Sequence, residues 1–451
     1  MSTPRFTDSW IRAALGISGS AELAFDAIVT DTRTLAPGAL FVALDGERHD
    51  AHDFLAVARD AGAAAAVVRR GTPVVPGLVY YEVPDTLRAL GDLAAAERQR
   101  FTGPVIGITG QNGKTSTKEM VATVLATRWR VHRTRANDNN LVGVPLTILQ
   151  APMGTEALVV EAGANLPGEI PRYREIVRPD IAVVLNAGAG HLEGFGSVEG
   201  VIREKLSLTK DAPLAIVGME PAALAPGARA LARRVITAGL ADADTIPDAV
   251  EMSADGRPIV SKGKRRFTVA ARGRHQAGNA MFAWAIAQEL KLDLDAVAVA
   301  LEQFNVPGGR GELAQHGGLT VVNDSYNANP QSFKTAIALA TELRAGRRLV
   351  FVAGSMRELG SHATALHHDV AGWLAALEPE LLALVGDFVP AFADWRDRYA
   401  GRLVEAPDAE SMGPLLAARL LGDELVVLKG SRGVALERIL PAIIARALPT
   451  T

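Results

Sequence analysis

The stretch VIGITGQNGKTSTKEM, residues 105–120, decides how this chain folds. Its apolar first part, ending near Thr109, predicts a buried strand, and the residues after Gly113 predict a helix. The helix has an apolar stripe at helical spacing, formed by Met120, Val121, Val124, Leu125 and Trp129. A glycine-rich turn between a strand and a helix binds anions, because backbone N–H groups and the positive end of the helix dipole meet there. The stretch therefore predicts a site for phosphate groups.

Two side chains in the turn strengthen this prediction. Lys114 adds a full positive charge, and Thr115 offers a hydroxyl to Mg²⁺, which prefers hard oxygen ligands. The usual phosphate loop has a further glycine at the position that Ile108 occupies, so only the short form that begins at Gly110 is present. The alternative is an ordinary strand-to-helix turn with a surface lysine. The strand and the helix on either side favour triphosphate binding.

Length and composition describe a globular enzyme. A chain of 451 residues predicts two or three domains, and 48% hydrophobic and 22% charged residues are typical of a soluble protein. A net charge of −3 gives no sign of nucleic-acid binding, and the absence of cysteine excludes disulfides, thiolate metal sites and cysteine nucleophiles. The sequence contains neither a signal-peptide pattern nor 18 uninterrupted apolar residues, so we expect a cytoplasmic protein without membrane insertion.

The order of apolar runs predicts an α/β fold with three domains. Residues 1–84 alternate short strand-like runs with turns and an Ala-rich helix, which predicts a small N-terminal α/β domain. Residues 85–312 contain almost wholly apolar strands, which predict a parallel sheet covered on both faces in a central ATPase domain. The sequence PGGRGEL, residues 307–313, is a candidate hinge. Residues 313–451 repeat the strand–helix alternation and predict a Rossmann-like, doubly wound domain.

Polar residues follow two of the central strands. Glu161 ends the run ALVVE, and Asn186 and His191 follow the run IAVVL. Ligands of open α/β sheets bind at the carboxyl ends of the strands, so these side chains are expected at the same edge as Lys114. Glu161 and His191 can bind a divalent cation, although imidazole suits Mn²⁺ better than Mg²⁺. Singly, each residue is better explained as a capping carboxylate or a loop histidine; together they favour a metal site.

Lys205 shares a helical stripe with the apolar residues Val201 and Leu208. A half-buried lysine has a lowered pKa and a more nucleophilic amine. The pattern alone favours the alternative, in which the side chain reaches along the helix to solvent.

Several motifs together resemble one enzyme family. They are TGQNGKTS, VVEAGAN, NAGAGHLEGFGS followed by Lys205, NNLVGVPLTIL, GRHQAGNA, NDSYNANP, GSMRELG and LKGSRGVALE. With DTRTLAPGALFVALDGERHDAHDF near the start, they resemble the Mur ligases of peptidoglycan synthesis over nearly the whole chain. HLEGFGS and SYNANP resemble the member that adds D-alanyl-D-alanine to UDP-N-acetylmuramoyl-tripeptide.

The resemblance implies an ATP-dependent ligase of cell-wall synthesis, and hence of cell shape and division. Such an enzyme transfers the γ-phosphoryl group of ATP to the substrate carboxylate, and the amine of D-alanyl-D-alanine then attacks the acyl phosphate. The implied cofactors are ATP, two Mg²⁺ ions and a CO₂-derived carbamate on Lys205. The implied partners are small-molecule substrates only, and the expected state is a monomer.

The resemblance also assigns site residues. Lys114, His191 and Lys205 would be catalytic, and the metal ligands would be Thr115, Glu161, His191 and carbamylated Lys205. The nucleotide would contact Gly110, Gln111, Asn112, Gly113, Lys114, Thr115, Ser116, Asn279, Arg310, Asp324, Asn327 and Asn329. The UDP end would meet Asp31, Thr32, Arg33 and Gly46, and an asparagine cluster beside the substrate would comprise Asn137, Asn139 and Asn140. The peptide substrates would contact Arg357, Glu358, Lys429, Ser431 and Arg432. No adenine contact is assigned to Gln276, where relatives often have asparagine.

Two alternatives remain. The first is another ligase of the same superfamily, such as a tripeptide-forming Mur ligase or a folylpolyglutamate or cyanophycin synthetase. The second is a P-loop protein in which ATP turnover drives a conformational switch. Within the favoured function, the third residue of the acceptor peptide is meso-diaminopimelate or lysine, and we favour the former.

Overall fold

The computed structural model describes residues 5–46, 49–306 and 308–447. Pro307, the first residue of the candidate hinge, lies outside the described residues, as do both termini and positions 47 and 48. Among the described residues, no helix is both long and apolar enough to span a bilayer.

The N-terminal region is built on a parallel sheet. In spatial order its strands are Ile28–Val29, Leu40–Val42, Ala65–Arg69 and Val79–Val83. A short antiparallel pair, Phe6–Thr7 with Ala24–Phe25, and the helices Asp8–Leu15 and Leu55–Asp60 complete the region. One face of the sheet packs on its own helix, and the other contributes Tyr81 to a core that also contains Leu90 and Val144 of the following domain. The first two domains therefore share one apolar core.

The central sheet is parallel throughout and is covered on both faces. Its strands, in spatial order, are Val235–Thr237, Leu214–Val217, Ile181–Val184, Val105–Thr109, Ala157–Glu161 and Val131–Arg133. Val105 and Ile106 enter cores on opposite faces, which explains why the run is apolar without alternation. From Val105–Thr109 the chain runs to the edge strand Val131–Arg133, returns to Ala157–Glu161 beside the first strand and then crosses to the other side, so the switch point lies beside the glycine turn.

Helices and a small antiparallel sheet cover this central sheet. The helices are Thr86–Arg100, Lys114–Leu125, Gly143–Leu149, Glu169–Val177, Leu192–Phe195, Val198–Leu206, Leu224–Arg229, His275–Glu289 and Leu294–Leu301. The antiparallel strands are Ala249–Met252, Pro258–Lys262 and Arg265–Thr268. The predicted helix after the glycine turn ends at Leu125, and Trp129 packs on the core from the turn that follows.

The C-terminal region is a second doubly wound unit. Its strands, in spatial order, are Glu312–His316, Leu319–Asp324, Leu425–Lys429, Leu349–Gly354, Leu381–Val385 and Leu403–Ala406. The first is antiparallel to its neighbour, and the others are parallel. The helices are Pro330–Arg344, Ala363–Leu377, Phe388–Ala391, Ala409–Ala417 and Leu440–Ile444. Separate apolar cores cover the two faces, so the predicted three-domain α/β class is confirmed. The domain boundaries remain predictions, since Glu312–His316 begins one residue before the predicted third domain.

Candidate active site

A cavity of about 420 Å³ lies between the central and C-terminal domains. The central domain lines it with residues 111–116 of the glycine turn, with Asn137, Asn139 and Asn140, and with Glu161 and His191. The other side is lined by Arg310 of the candidate hinge and by Asp324, Asn327, Glu358, Lys429 and Arg432 of the C-terminal domain. Most of the predicted nucleotide and metal residues therefore face one space, at the edge of the sheet where ligands of this fold class bind.

The glycine turn is held in shape by its neighbours. The Asn186 side chain accepts the backbone N–H groups of Gln111 and Asn112, at 3.1 and 2.9 Å. Gly113 has a φ of 82°, and a Cβ there would lie 2.9 Å from the Asn279 amide oxygen, so no other residue fits without displacement. Lys114 donates from Nζ to the Gly110 carbonyl at 2.9 Å. Asn186, noticed in the sequence but given no role, thus orders the loop that would cradle phosphates.

The Glu161 carboxylate is the best-placed metal ligand of the cavity. Its Oε1 accepts hydrogen bonds from the Thr115 hydroxyl at 3.2 Å and from the Asn139 amide at 2.8 Å. Its Oε2 is buried and has no hydrogen-bond partner. A buried carboxylate oxygen with free lone pairs beside a hydroxyl fits a hard cation such as Mg²⁺. Within the described ranges, no cluster of three or more acidic or histidine side chains forms a complete site.

His191 connects the two domains across the cavity. It has a left-handed backbone, with φ 55°, and its Nδ1 faces the carboxylate of Glu358 in the C-terminal domain. This contact lowers the pKa of the Glu358 carboxyl, although burial opposes the change. His191 lines the same cavity as Glu161, as predicted. Its Nδ1, however, contacts Glu358 and therefore connects the two domains.

Lys205 is buried in the helix Val198–Leu206, with only 2% of its surface exposed. Burial, followed by the positive charge of nearby Lys114, lowers its pKa well below the usual range. The alternative in which this side chain reaches solvent is therefore wrong. Lys205 is not among the described residues that line the cavity, although its amine is close enough to Lys114, which does line it, for the two charges to interact.

Lys429, which is buried, and Asp324, which is partly buried, form an ion pair on the C-terminal side. The lysine Nζ lies 2.9 Å from the Asp324 carboxylate and donates to the Asn327 carbonyl at 2.6 Å. Burial raises the pKa of Asp324, while Lys429 lowers it. Burial and Lys429 also hold the pKa of His275, a cavity residue missed in the sequence, at about 4. The Lys429 ammonium is thus paired within the protein while the residue lines the cavity, and its contact with the peptide substrates stays a prediction.

Tyr326 presents its ring to two arginines. The guanidinium of Arg310 lies 3.9 Å from the ring centroid, and that of Arg432 lies 5.9 Å away. The buried Nε of Arg310 has no hydrogen-bond partner. Arg310 is therefore oriented by stacking while retaining a donor for an anion. Tyr326 lies within the SYNANP motif but had been given no role.

Three predicted nucleotide contacts, Gly110, Asn279 and Asn329, lie outside the cavity lining. Asn279 packs against Gly113 and donates to the side-chain oxygen of Gln276 at 3.0 Å, while Gln276 itself lines the cavity. Asn329 caps the helix Pro330–Arg344 and donates to the Asn112 side chain at 2.8 Å. Both asparagines support the glycine turn, because helix packing directs their amides toward the loop.

The remaining predicted contacts also lie away from this cavity. Ser431 is buried and accepts the backbone N–H of Arg357 at 2.9 Å, and neither residue lines the cavity. The predicted UDP-end residues Asp31, Thr32, Arg33 and Gly46 belong to the N-terminal region. There the Asp31 carboxylate binds the exposed Arg33 guanidinium and caps a short 3₁₀ turn. Their roles in substrate binding remain predictions.

Comparison with known proteins gives consistent results. A model of the Mur ligase middle domain matches residues 108–287, and a model of the Mur ligase glutamate ligase domain matches residues 309–432. UDP-N-acetylmuramoyl-tripeptide–D-alanyl-D-alanine ligase of Bacillus subtilis is 34% identical over 93% of each chain, and that of Escherichia coli is 33% identical over 94% of each.

Solved structures extend the comparison to the fold. MurF from Acinetobacter baumannii superposes with a TM-score of 0.90 at 28% identity, covering 98% of this chain and 99% of that one. MurF ligase from Thermotoga maritima in complex with ADP has a TM-score of 0.82 at 28% identity, covering 93% and 97%. The matched domains, the identity over nearly the full length and the shared fold show that the chain belongs to the Mur ligase family.

Proposed function

We propose that this enzyme is the ATP-dependent ligase that joins D-alanyl-D-alanine to UDP-N-acetylmuramoyl-tripeptide, giving the pentapeptide precursor of peptidoglycan. Relatives with that activity in their names cover more than nine-tenths of the chain. The main structural support for the proposal is that the glycine turn, Glu161 and Arg310 line one cavity between two domains. The similarity extends across all three domains, which disfavours both a phosphate-loop switch and a distant ligase.

The reaction must bring two anions together. A carboxylate is a poor electrophile, so transfer of the γ-phosphoryl group of ATP first converts it into an acyl phosphate. The amine of D-alanyl-D-alanine attacks that carbonyl, and the tetrahedral intermediate releases phosphate. The first step opposes the charges of a carboxylate and a triphosphate, and cationic groups directed at the transferring phosphoryl group lower this barrier.

Different residues of the cavity contribute to different parts of this reaction. Lys114 and the N–H groups of the glycine turn hold the β- and γ-phosphates, and Arg310 approaches from the opposite wall. Glu161 and Thr115 would hold Mg²⁺, which would supply positive charge to the phosphoryl oxygens. The pairing of Asn112 with Asn329 and of His191 with Glu358 joins the domains around the site. That closure excludes water, which would otherwise hydrolyse the acyl phosphate.

A finer part of the proposal concerns Lys205. Its neutral amine would add to CO₂ and release a proton, and the resulting carbamate would hold a second Mg²⁺ together with Glu161 and His191. The lowered pKa of Lys205 favours the neutral amine that this addition requires. The reaction would also place an anion, where the neutral amine had been, near the Lys114 ammonium, and these opposite charges attract each other.

The domain roles complete the proposal. Residues 1–84 bind the UDP end of the substrate, residues 85–312 bind ATP, and residues 313–451 contact the peptide substrates through groups such as Arg432. The substrates are small molecules, and the enzyme acts as a cytoplasmic monomer.

A coupled phosphate-release assay tests the reaction. We expect phosphate release only when ATP, UDP-N-acetylmuramoyl-tripeptide and D-alanyl-D-alanine are all present, because the acyl phosphate forms on one substrate and is consumed by the other. Omission of each substrate in turn is the control. Release that depends on glutamate or diaminopimelate as acceptor would indicate another ligase of the family, and full turnover without an acceptor would indicate a switch ATPase.

The same assay resolves the third residue of the tripeptide. With UDP-linked tripeptides that end in meso-diaminopimelate or in lysine, we expect the larger kcat/KM for meso-diaminopimelate. Equal or reversed values would overturn that choice while leaving the ligase reaction intact.

His191→Asn should increase the Mg²⁺ concentration needed for half-maximal activity about tenfold, because a proposed metal ligand is lost. Asparagine is chosen since it tolerates the left-handed backbone at φ 55°. A magnesium titration in the coupled assay measures the effect. Glu358→Gln is compared in parallel, because it weakens the same domain bridge without removing the imidazole. An equal shift in both variants, or none in His191→Asn, would remove His191 from the metal site.

A further inference from the structure

The helix after the glycine turn contains a second buried lysine, Lys118, one turn beyond Lys114. Its side chain is 0% exposed. Burial of an ammonium group costs several kcal/mol unless charges and hydrogen bonds compensate, and an apolar side chain of similar volume is often at least as stabilising. The contacts of this ammonium therefore indicate why a charge is present there.

The Lys118 ammonium lies within a chain of alternating charges. Its Nζ lies 3.3 Å from Glu119 Oε1 and 3.6 Å from Glu161 Oε2. Glu119 Oε2 in turn accepts a hydrogen bond from Arg133 Nε at 2.7 Å. Two cations and two carboxylates thus compensate one another, and Glu161, at one end of the chain, is the proposed metal ligand.

The two carboxylate oxygens of Glu161 have different surroundings. Thr115 and Asn139 donate to Oε1, whereas Oε2 has no hydrogen bond. At 3.6 Å, Lys118 attracts Oε2 without forming a close hydrogen bond. The carboxylate is therefore held at one oxygen and oriented at the other, whose lone pairs remain open to a cation.

The same ammonium holds the segment that contains the asparagine cluster. Lys118 Nζ donates to the Ala136 carbonyl at 3.0 Å. Ala136 has a left-handed backbone, with φ 46°, which is unfavourable for a residue with a Cβ. The bond from Lys118 stabilises this strained turn directly before Asn137, so one buried group fixes both the metal carboxylate and the neighbouring segment.

We propose that Lys118 is a positioning residue that couples the metal carboxylate, Glu161, to the asparagine segment, residues 137–140. The metal half of the proposal rests on the geometry of Glu161. The substrate half rests on the proposed function, in which the segment lies beside UDP-N-acetylmuramoyl-tripeptide.

Lys118→Met in the full-length enzyme tests both halves, because methionine fills the space without the charge. Mn²⁺ affinity is measured by electron paramagnetic resonance with adenylyl imidodiphosphate present, and tripeptide affinity by calorimetry without metal or nucleotide. We expect the Mn²⁺ dissociation constant to rise about tenfold or more, as for other residues that orient a metal ligand. The tripeptide dissociation constant should rise about fivefold, and the melting temperature should change by less than about 5 °C, given the tolerance of buried ion pairs to apolar replacement.

Two further variants separate the contacts. Glu119→Gln leaves the contacts of Lys118 with Glu161 and Ala136, so both affinities should stay within about threefold of wild type. Ala136→Gly accepts the left-handed backbone and loosens only the turn, so it should weaken tripeptide binding while leaving Mn²⁺ binding unchanged.

Several results would overturn the inference. If Lys118→Met bound Mn²⁺ and the tripeptide as tightly as wild type, the inference would be wrong. It would also be wrong if Glu119→Gln lost as much affinity for both as Lys118→Met. Unfolding of Lys118→Met would show that the ammonium is needed for folding rather than for positioning. If wild-type enzyme bound Mn²⁺ but neither bound nor ligated the tripeptide, the proposed function would fail, while the metal measurement would still decide the role of Lys118.

Discussion

Lys114→Ala should reduce kcat/KM by about 10³-fold or more, equivalent to roughly 4 kcal/mol of transition-state stabilisation. The ammonium is half-buried between the glycine turn and Arg310, and its charge interacts with that of Glu161. In such a setting a charge acts more strongly than in water. Its present hydrogen bonds to the Gly110 and Gln111 carbonyls keep it within the loop, where a nucleotide phosphate would compete for it. Phosphate release under subsaturating ATP measures the loss.

The matched control for this variant is Lys264→Ala. Lys264 is exposed after the strand Pro258–Lys262 and does not line the described cavity, so its removal should leave kcat/KM within twofold or so, as for most surface changes. Melting temperatures of both variants show whether a loss of activity is caused by unfolding. More than one-tenth of wild-type activity in a folded Lys114→Ala enzyme would refute the assignment of Lys114 to the phosphates.

The parts of the site that could be predicted are those that depend on short stretches of chain. The strand Val105–Thr109 and the glycine turn follow from local pattern, and parallel topology then places the residues after neighbouring strands at the same edge. Glu161 was found in this way. Lys205 was harder, because the stripe it shares with Val201 does not reveal how deeply the helix is buried.

Contacts between distant parts of the chain could not be predicted. Asn112 and Asn329 are 217 positions apart, and their amides meet only because the C-terminal domain packs against the glycine turn. In the same way, the sequence could not show that Gln276, rather than the predicted Asn279, lies at the cavity surface. The two residues lie one helical turn apart, and small rotations of a buried helix decide which side chain reaches the cavity. The resemblance alone could not distinguish them.

Lys205→Ala should reduce turnover about 100-fold, and small carboxylates such as formate should restore part of the activity. The physical reason is that a carbamate presents two oxygens to the metal site, whereas alanine leaves a small cavity that a carboxylate anion can enter. The effect is of the size measured when groups supporting a metal are removed from other enzymes. The coupled assay at increasing formate concentration measures the rescue, and Lys210→Ala, which removes an exposed lysine five residues later, is the control.

A direct measurement separates the carbamate from a structural role. Wild-type enzyme incubated with ¹³C-bicarbonate should show a carbamate carbon signal that is missing from Lys205→Ala and present in Lys210→Ala. Because only the neutral amine reacts with CO₂, and burial lowers the pKa of Lys205, the signal should persist at pH values at which exposed lysines are fully protonated. Absence of the signal, together with failed rescue and normal Mn²⁺ binding in Lys205→Ala, would leave this lysine as a buried neutral amine near Lys114. In that case the metal would depend on Glu161, phosphate and water, as the free oxygen of Glu161 already allows.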